Sequence, residues 1–434
     1  MLRKFWILPL VVILCMNCSH NSEKEIVVTS PNGHIKVSFE LIKGRPFYNA
    51  SFNKISVIEK SSLGFRFKKQ PDLAGGFEVV KTLRNSFDET WEQVWGEKRF
   101  IRNNYNELIV ELKESEDLER KLTIAFRVFD DGIGFRYIIP EQENIDSLYI
   151  MDELTEFRLS DNHKAWWIPA YRDNRYEYLF KQTTINEIDT VHTPLTIETN
   201  DGLYLSIHEA DLTNYASMTL ANTDDSNLKC DLVPWMDGTK VKSRAPVTSP
   251  WRTIQIAESP GELITSYMVL NLNEPNILED VSWIKPSKYM GIWWGMHIGK
   301  YTFWESETQG ATTENAKMYI DFASENNIPL LLIEGWNKGW TPEWYMDALH
   351  EFSFTDCADG FDIMEVNNYA HSKGIELIGY HETGSNLTNY LNQIDTAFAL
   401  YKKLGIHNVK IGQVGSRLNM KEWHHGQFGV KIYL

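Results

Sequence analysis

Cysteine is scarce in this 434-residue chain: there are four, and Cys15 and Cys18 both fall in the amino-terminal leader. The other two, Cys230 and Cys357, allow at most one bridge, too few for a metal cluster or a disulfide-stapled miniprotein. Basic charge is also short, since 43 Lys and Arg face 59 Asp and Glu and leave a formal charge of -16. A nucleic-acid partner requires a basic footprint, so nucleic acid is excluded as the main partner. Beyond the leader no segment reaches the roughly 18 uninterrupted apolar residues of a membrane helix. The chain has no P-loop, no dinucleotide glycine fingerprint, no nucleophile elbow and no zincin histidine pair. Aromatic residues, by contrast, are abundant: 15 Trp, 19 Tyr and 21 Phe. Ring faces stack on pyranose faces, so an acidic, Trp-rich chain suits carbohydrate as well as it suits large apolar cores. With 43% hydrophobic and 24% charged residues, the chain is core-building and globular rather than disordered.

The first 18 residues read as an export signal. Arg3 and Lys4 precede the apolar run from Phe5 to Met16, which is too short for a resident membrane helix, and a small polar exit begins at Asn17. A cysteine directly after such a run resembles a bacterial lipoprotein cleavage site, with Cys18 as the lipid-bearing residue; Cys15, three positions earlier, departs from the usual pattern. The expectation is an exported bacterial protein, periplasmic or anchored to the outer membrane through Cys18.

From Glu25 to Asn271 the chain alternates apolar and polar residues in short runs, such as Ile35 to Leu41 and Leu122 to Val128, broken by Asn-Gly and Asp-Gly turns. Period two with those turns predicts an antiparallel β-sandwich over 25–271. Residues 272–287, with Pro275 and Pro286, read as a linker. From 288 to 434 the rhythm becomes strand, helix, strand. Strands are predicted at Tyr289 to Trp294, Ile328 to Ile333, Ile375 to Tyr380 and Val409 to Gly412, with one helix capped by Thr313 and another carrying Leu387, Tyr390, Leu391, Ile394, Phe398 and Tyr401 on one face. Alternation of this kind builds a parallel sheet, whose closed form is the (β/α)8 barrel. A complete barrel takes about 250 residues. The stretch from Tyr289 to Leu434 is little more than half of that, so an incomplete barrel, its first half, is expected after the sandwich.

Barrel chemistry sits at the carboxyl ends of the strands. Those ends are polar and aromatic here: Trp293-Trp294, Glu334-Gly335-Trp336-Asn337, His381-Glu382-Thr383, then Lys410 and Gly412. Two carboxylates at neighbouring strand mouths suit general acid and base work on glycosides, although either alone would read as a solvated loop residue. Outside the barrel, Arg172 to Tyr178 is a charged, aromatic loop, and His208-Glu209-Ala210 reads as a surface pair ending a strand.

Taken in order, Phe87-Asp88-Glu89-Thr90-Trp91, Tyr105 to Leu108, Gly132 to Tyr137, Trp167-Ile168-Pro169, His208-Glu209-Ala210, Glu334 to Asn337, His381-Glu382-Thr383 and Val409 to Gly412 resemble glycoside hydrolase family 97, particularly its starch-utilisation α-glucosidase branch. The resemblance implies an exported, calcium-dependent enzyme with a β-super-sandwich, a (β/α)8 barrel and a small carboxyl-terminal β-domain, acting on α-linked oligosaccharides. In the retaining branch an Asp nucleophile closes the fourth strand; the matching position here is Gly412, which places the chain with the inverting branch. By the same resemblance Glu382 is the general base, Glu334, His381 and Lys410 contact sugar, Trp294 is a stacking wall, and Glu177 is a calcium ligand.

Two departures stand out. Tyr380-His381 replaces paired histidines before the base. The second base carboxylate, the remaining calcium-binding glutamates and the general acid lie beyond the fourth strand in the family, and the tail after Phe428 diverges from it. The chain by itself is therefore expected to be inactive. The alternatives are a retaining α-galactosidase of the same family and a non-catalytic carbohydrate-binding surface lipoprotein.

Overall fold

Strict alternation requires one buried face per strand, and Ile35–Ile42 shows how the sequence supplies it: Ile35, Val37 and Phe39 are buried, with Val37 opposite Ala50 and Phe39 opposite Tyr48 on the next strand. In the computed structural model, residues 25–433 are described, apart from 117, 173–175, 225, 347–348, 414, 416, 420 and 424. The leader, with Cys18, and part of the 172–178 loop lie outside the described residues. An antiparallel meander of four strands from Ile26 to Ser62 packs on a ten-stranded sheet that runs from an edge at Phe77–Glu92 to the opposite edge at Lys181–Thr184. One apolar core joins the two layers, with Phe39 and Tyr48 of the meander meeting Phe126 and Phe135 of the large sheet. Among the described residues this region holds only short helical pieces, the longest being Pro260–Thr265. Cys230 and Cys357 are both free.

His208-Glu209 is not a surface pair. Glu209 is buried, and its carboxylate accepts from Arg252 at 2.7 Å and from the Met218 amide at 2.8 Å. The same guanidinium, fully enclosed, donates twice to Glu153, at 2.8 and 2.7 Å. Burial pushes the Glu209 carboxyl up, against the pull of Arg252. Burial acts on Glu153 in the same sense, but the Arg252 charge and hydrogen bonds outweigh it and hold that carboxyl below its usual range.

After Leu272 the chain runs without regular structure to β1 (Tyr289–Gly291), followed by β2 (Leu330–Leu332), β3 (Glu376–Glu382) and β4 (Asn408–Gly412). All pair in parallel, in sequence order, as the first four strands of a barrel do. Between them lie α1 (Thr313–Glu325), α2 (Ile363–Ser372) and α3 (Leu387–Leu404). Three details differ from the sequence reading. The run from Tyr289 to Trp294 is strand only to Gly291 and turns into a five-residue helix at Trp293–His297, because an apolar run specifies burial and not backbone conformation. The cap of α1 is Thr312, whose hydroxyl accepts the Asn315 amide at 3.1 Å; Thr313 is the first helical residue. On α3, Leu387, Tyr390 and Tyr401 are buried as expected, whereas Leu391 and Phe398 are exposed.

A terminal helix, α4 (Gln427–Tyr433), ties this unit to the sandwich. Gln427 accepts the Lys242 amide at 2.7 Å and donates back to the Lys242 carbonyl at 3.0 Å. Glu422, just before α4, is buried and caps it through the Phe428 and Gly429 amides. Burial pushes the Glu422 carboxyl up to about 7.

Candidate active site

Side chains on a parallel sheet share a face with their register partners. β3 pairs Tyr380 with Lys410 and Glu382 with Gly412, while β2 pairs Leu332 with Ile378. By period two, Glu334, Tyr380, Glu382 and Lys410 therefore lie on one face at the carboxyl ends of the strands. The ammonium of Lys410 reaches across β3 to Glu334, Nζ to Oε1 2.8 Å, passing 5.6 Å above the Tyr380 ring. Glu334 is 3% exposed and Lys410 46% exposed at the side chain. Burial raises the Glu334 carboxyl above its ordinary range, partly offset by the Lys410 hydrogen bond and charge.

Glu382 is also buried, and both its oxygens accept defined donors: the Tyr380 hydroxyl at 2.9 Å and the Gly384 amide at 2.9 Å. Burial, then the negative charges of Glu382 and Glu334, raise the Tyr380 phenol far above its usual range, so it remains a neutral donor. Gly412 completes the arrangement. A Cβ there would overlap Glu382 Oε2 and the Tyr380 hydroxyl, so only glycine leaves both in place. Thr383 fixes the ends of β3 and β4 by donating from both its amide and its hydroxyl to the Gly412 carbonyl, at 3.1 and 3.0 Å.

The structure does not bring His381 to this face. Its place in β3 turns it toward α3, where it is fully buried, stacked on Tyr401 at 4.9 Å and hydrogen-bonded through Nδ1 to the Tyr390 hydroxyl at 3.2 Å. Burial pushes this imidazole down to about 4. The expectation that His381 contacts sugar is corrected accordingly: the residue that alternation turns inward is Tyr380. Counting back two positions from Glu382 was the signal that could have found it.

Trp336 and Asn337 are supports, since Trp336 donates to the Tyr380 carbonyl at 2.9 Å and Asn337 accepts from Trp340 at 3.1 Å. Trp294 is exposed on the short helix after β1, beside His297 at 5.2 Å. Glu177 lies exposed on the sandwich, next to Tyr176, whose ring packs on His192 and on His425 of the barrel unit at 4.1 and 4.8 Å. A calcium ion takes about six to eight oxygen ligands. Among the described residues no three His, Cys, Asp or Glu side chains gather to hold a metal. Glu177 by itself does not make a calcium site.

Comparison with known proteins gives this geometry a family. The model described as Glycosyl-hydrolase 97 N-terminal matches residues 28–275, and that described as Glycoside hydrolase 97 matches residues 293–434, including the tail that the sequence reading set apart. Among solved structures, a glycoside hydrolase family 97 enzyme from Pseudoalteromonas sp. strain K8, in complexes with panose and with acarbose, superposes with a TM-score of 0.91 at 41% identity. That match covers 94% of this chain and 63% of the other. Among curated proteins, a retaining alpha-galactosidase of Bacteroides thetaiotaomicron is 22% identical over 92% of this chain and 62% of its own length. A probable retaining alpha-galactosidase of Streptomyces bingchenggensis is 24% identical over 74% of this chain and 46% of its own. The chain thus spans less than two thirds of the length of each of these relatives. With its amino-terminal domain matched over more than half of the sequence and its parallel sheet matched to the catalytic domain, the chain belongs to glycoside hydrolase family 97, a family of glycoside-cleaving enzymes.

Proposed function

We propose that the face formed by Glu334, Tyr380, Glu382 and Lys410 receives an α-linked glucosyl unit, and that Glu382 serves as general base for hydrolysis with inversion. The observation that carries this reading is the Glu382–Gly412 pair. A retaining route needs a carboxylate at the anomeric carbon, and β4 offers a glycine whose replacement would collide with Glu382. In the inverting route Glu382 takes a proton from water, the water oxygen bonds to C1 on the side opposite the leaving group, and the C1–O bond breaks as the leaving oxygen takes up a proton from a general acid. Glu334 and Lys410 offer an acceptor and a donor to sugar hydroxyls, and Trp294 a face for stacking. The 41% identical enzyme bound to panose and acarbose supports an α-gluco-oligosaccharide substrate. The names of the curated relatives favour the second reading, retaining α-galactoside hydrolysis.

We assign none of the described carboxyls as the general acid, so the test uses a substrate that needs none. Fluoride leaves without protonation, so α-glucosyl fluoride reads the base by itself. The expected first product by NMR is β-glucose, with α-galactosyl fluoride turned over more slowly; an α-anomer first, or a galactosyl preference, supports the retaining reading and sinks this one. On panose the chain should be poorer by about 100- to 10,000-fold, the usual contribution of a positioned acid.

Calcium binding, with Glu177 giving one oxygen and the other ligands coming from outside the described residues, is part of the same proposal; terbium luminescence that is quenched by calcium in a protein of the relatives' full length and absent in its E177Q variant is its test. Export and acylation at Cys18 complete it, and mass spectrometry of the mature amino terminus decides that point.

A further inference from the structure

The strand Phe77–Glu92 has 16 residues and forms the last strand of the large sheet, hydrogen-bonded on one side to Phe100–Glu114. Among the described residues no strand pairs with its other side, and nearly every side chain along it is exposed, Leu83 and Phe87 among them at 37% each. Strands in globular proteins average about five or six residues, and edges this long are normally shortened, bulged or covered, because they template pairing with another chain. This edge carries a bulge at Val79–Lys81 and then runs unbroken to Glu92.

The order of residues beyond the bulge is self-complementary. If a second copy lies antiparallel with the two-fold axis through Asn85, residues an equal number of places either side of Asn85 stand opposite one another. Lys81 then meets the partner copy's counterpart of Glu89, and Leu83 that of Phe87, each contact occurring twice. All of these odd-numbered positions share one face, where Phe87 already stacks on Tyr105 at 5.3 Å. Within one chain Lys81 and Glu89 are eight residues apart, about 26 Å along a strand, so they do not pair with each other. Moving the axis half a residue toward Ser86 sets Leu83 against Asp88, and moving it to Ser86 sets Leu83 against Glu89; moving it half a residue toward Arg84 keeps a charge pair, Lys81 with Asp88, but loses the apolar one, setting Leu83 against Ser86 and Phe87 against Thr82.

We infer that the exposed edge Lys81–Glu89 is a homodimerisation surface, on which a second copy of this chain adds antiparallel about Asn85 and continues the large sheet across the two-fold axis. Charged edge residues that would repel an arbitrary strand become the contacts that select this one.

The test is sedimentation velocity on the full chain, with single and paired charge swaps. The native chain is expected to show a concentration-dependent dimer that weakens with salt. K81E sets Glu opposite Glu twice and should weaken the dimer by about ten-fold or more. K81E/E89K should restore it; since E89K does not repair the contact of Lys81 with Glu111 on the neighbouring strand, 4.0 Å in the native chain, restoration reads the intermolecular pair. N85C, whose copies would face each other at a Cα separation that a disulfide spans, should give a covalent dimer on oxidation that the native chain does not. A native chain that stays monomeric, a dimer indifferent to K81E, a double swap that fails to restore, or an N85C that does not cross-link would overturn the inference. These substitutions lie on an exposed strand, and an unchanged thermal melt separates their effect from misfolding.

Discussion

Replacing Lys410 with Met removes the charge facing Glu334 and keeps most of the aliphatic stem. The carboxylate, 3% exposed, then has no cation within hydrogen-bond distance in its observed pairing. Breaking a fully buried pair costs about 3–5 kcal/mol, and an exposed pair contributes about 0.2–1 kcal/mol. Lys410 is nearly half exposed, so K410M is expected to cost about 1–3 kcal/mol at neutral pH. The pH dependence fixes the mechanism. Burial already raises the folded-state carboxyl of Glu334, and losing Lys410 raises it further. A carboxyl raised in the folded state binds its proton more readily there than in the unfolded chain, so its stability contribution declines as pH rises through the folded value. The penalty of K410M should therefore be full above that value and shrink as pH falls and Glu334 becomes neutral. Urea unfolding of both proteins at pH 7.5 and at pH 4.5 measures it, and E334Q/K410M closes a double-mutant cycle in which K410M costs little once the charge is gone. A penalty that is equal at the two pH values, or larger at the lower one, would refute the reasoning.

Other perturbations follow from the same structure. G412D places a side chain where Glu382 Oε2 and the Tyr380 hydroxyl stand, so it should destabilise by about 1–3 kcal/mol and abolish fluoride hydrolysis, read by melting and turnover; a fully stable and active G412D would contradict the steric account. R252M leaves Glu153 and Glu209 facing each other in the sandwich core and should cost about 3–5 kcal/mol in chemical denaturation. His381, held neutral down to about 4, takes up its proton more readily when unfolded, so stability falls as pH drops from about 6.5 toward 4. H381F should make that acid limb shallower in pH-dependent melts, the remainder coming from His192, which burial also holds down to about 4, and leave fluoride turnover near native; a selective loss of sugar binding would return His381 to the site.

Much of the architecture was legible in the sequence because burial writes a period. Alternation along Ile35–Ile42 and Lys121–Phe129 announced the sandwich, and helical spacing of Leu387, Tyr390 and Tyr401 announced α3. The failures have physical causes as well. Met290 to Trp294 is apolar throughout, and apolarity does not distinguish a strand from the short helix that follows Gly291. Glu209 looked solvated because its partner, Arg252, is 43 residues further along the chain. Tyr380 and His381 are adjacent and both polar aromatics, so composition gave no reason to choose the inward one.

By itself, then, the sequence determined a sandwich followed by parallel strands, a family, and a carboxylate, Glu382, at the mouth of the third strand. These follow from local periodicity and ordered motifs, which need no knowledge of distant contacts. Only the tertiary structure decided which side chains meet. A strand has two faces, and the packing of α3 on one of them turns His381 into a core and Tyr380 toward Glu382. The Lys410–Glu334 ion pair across β3, the space that Gly412 must leave empty and the open edge at Phe77–Glu92 depend on register between strands, which is set when the sheets assemble.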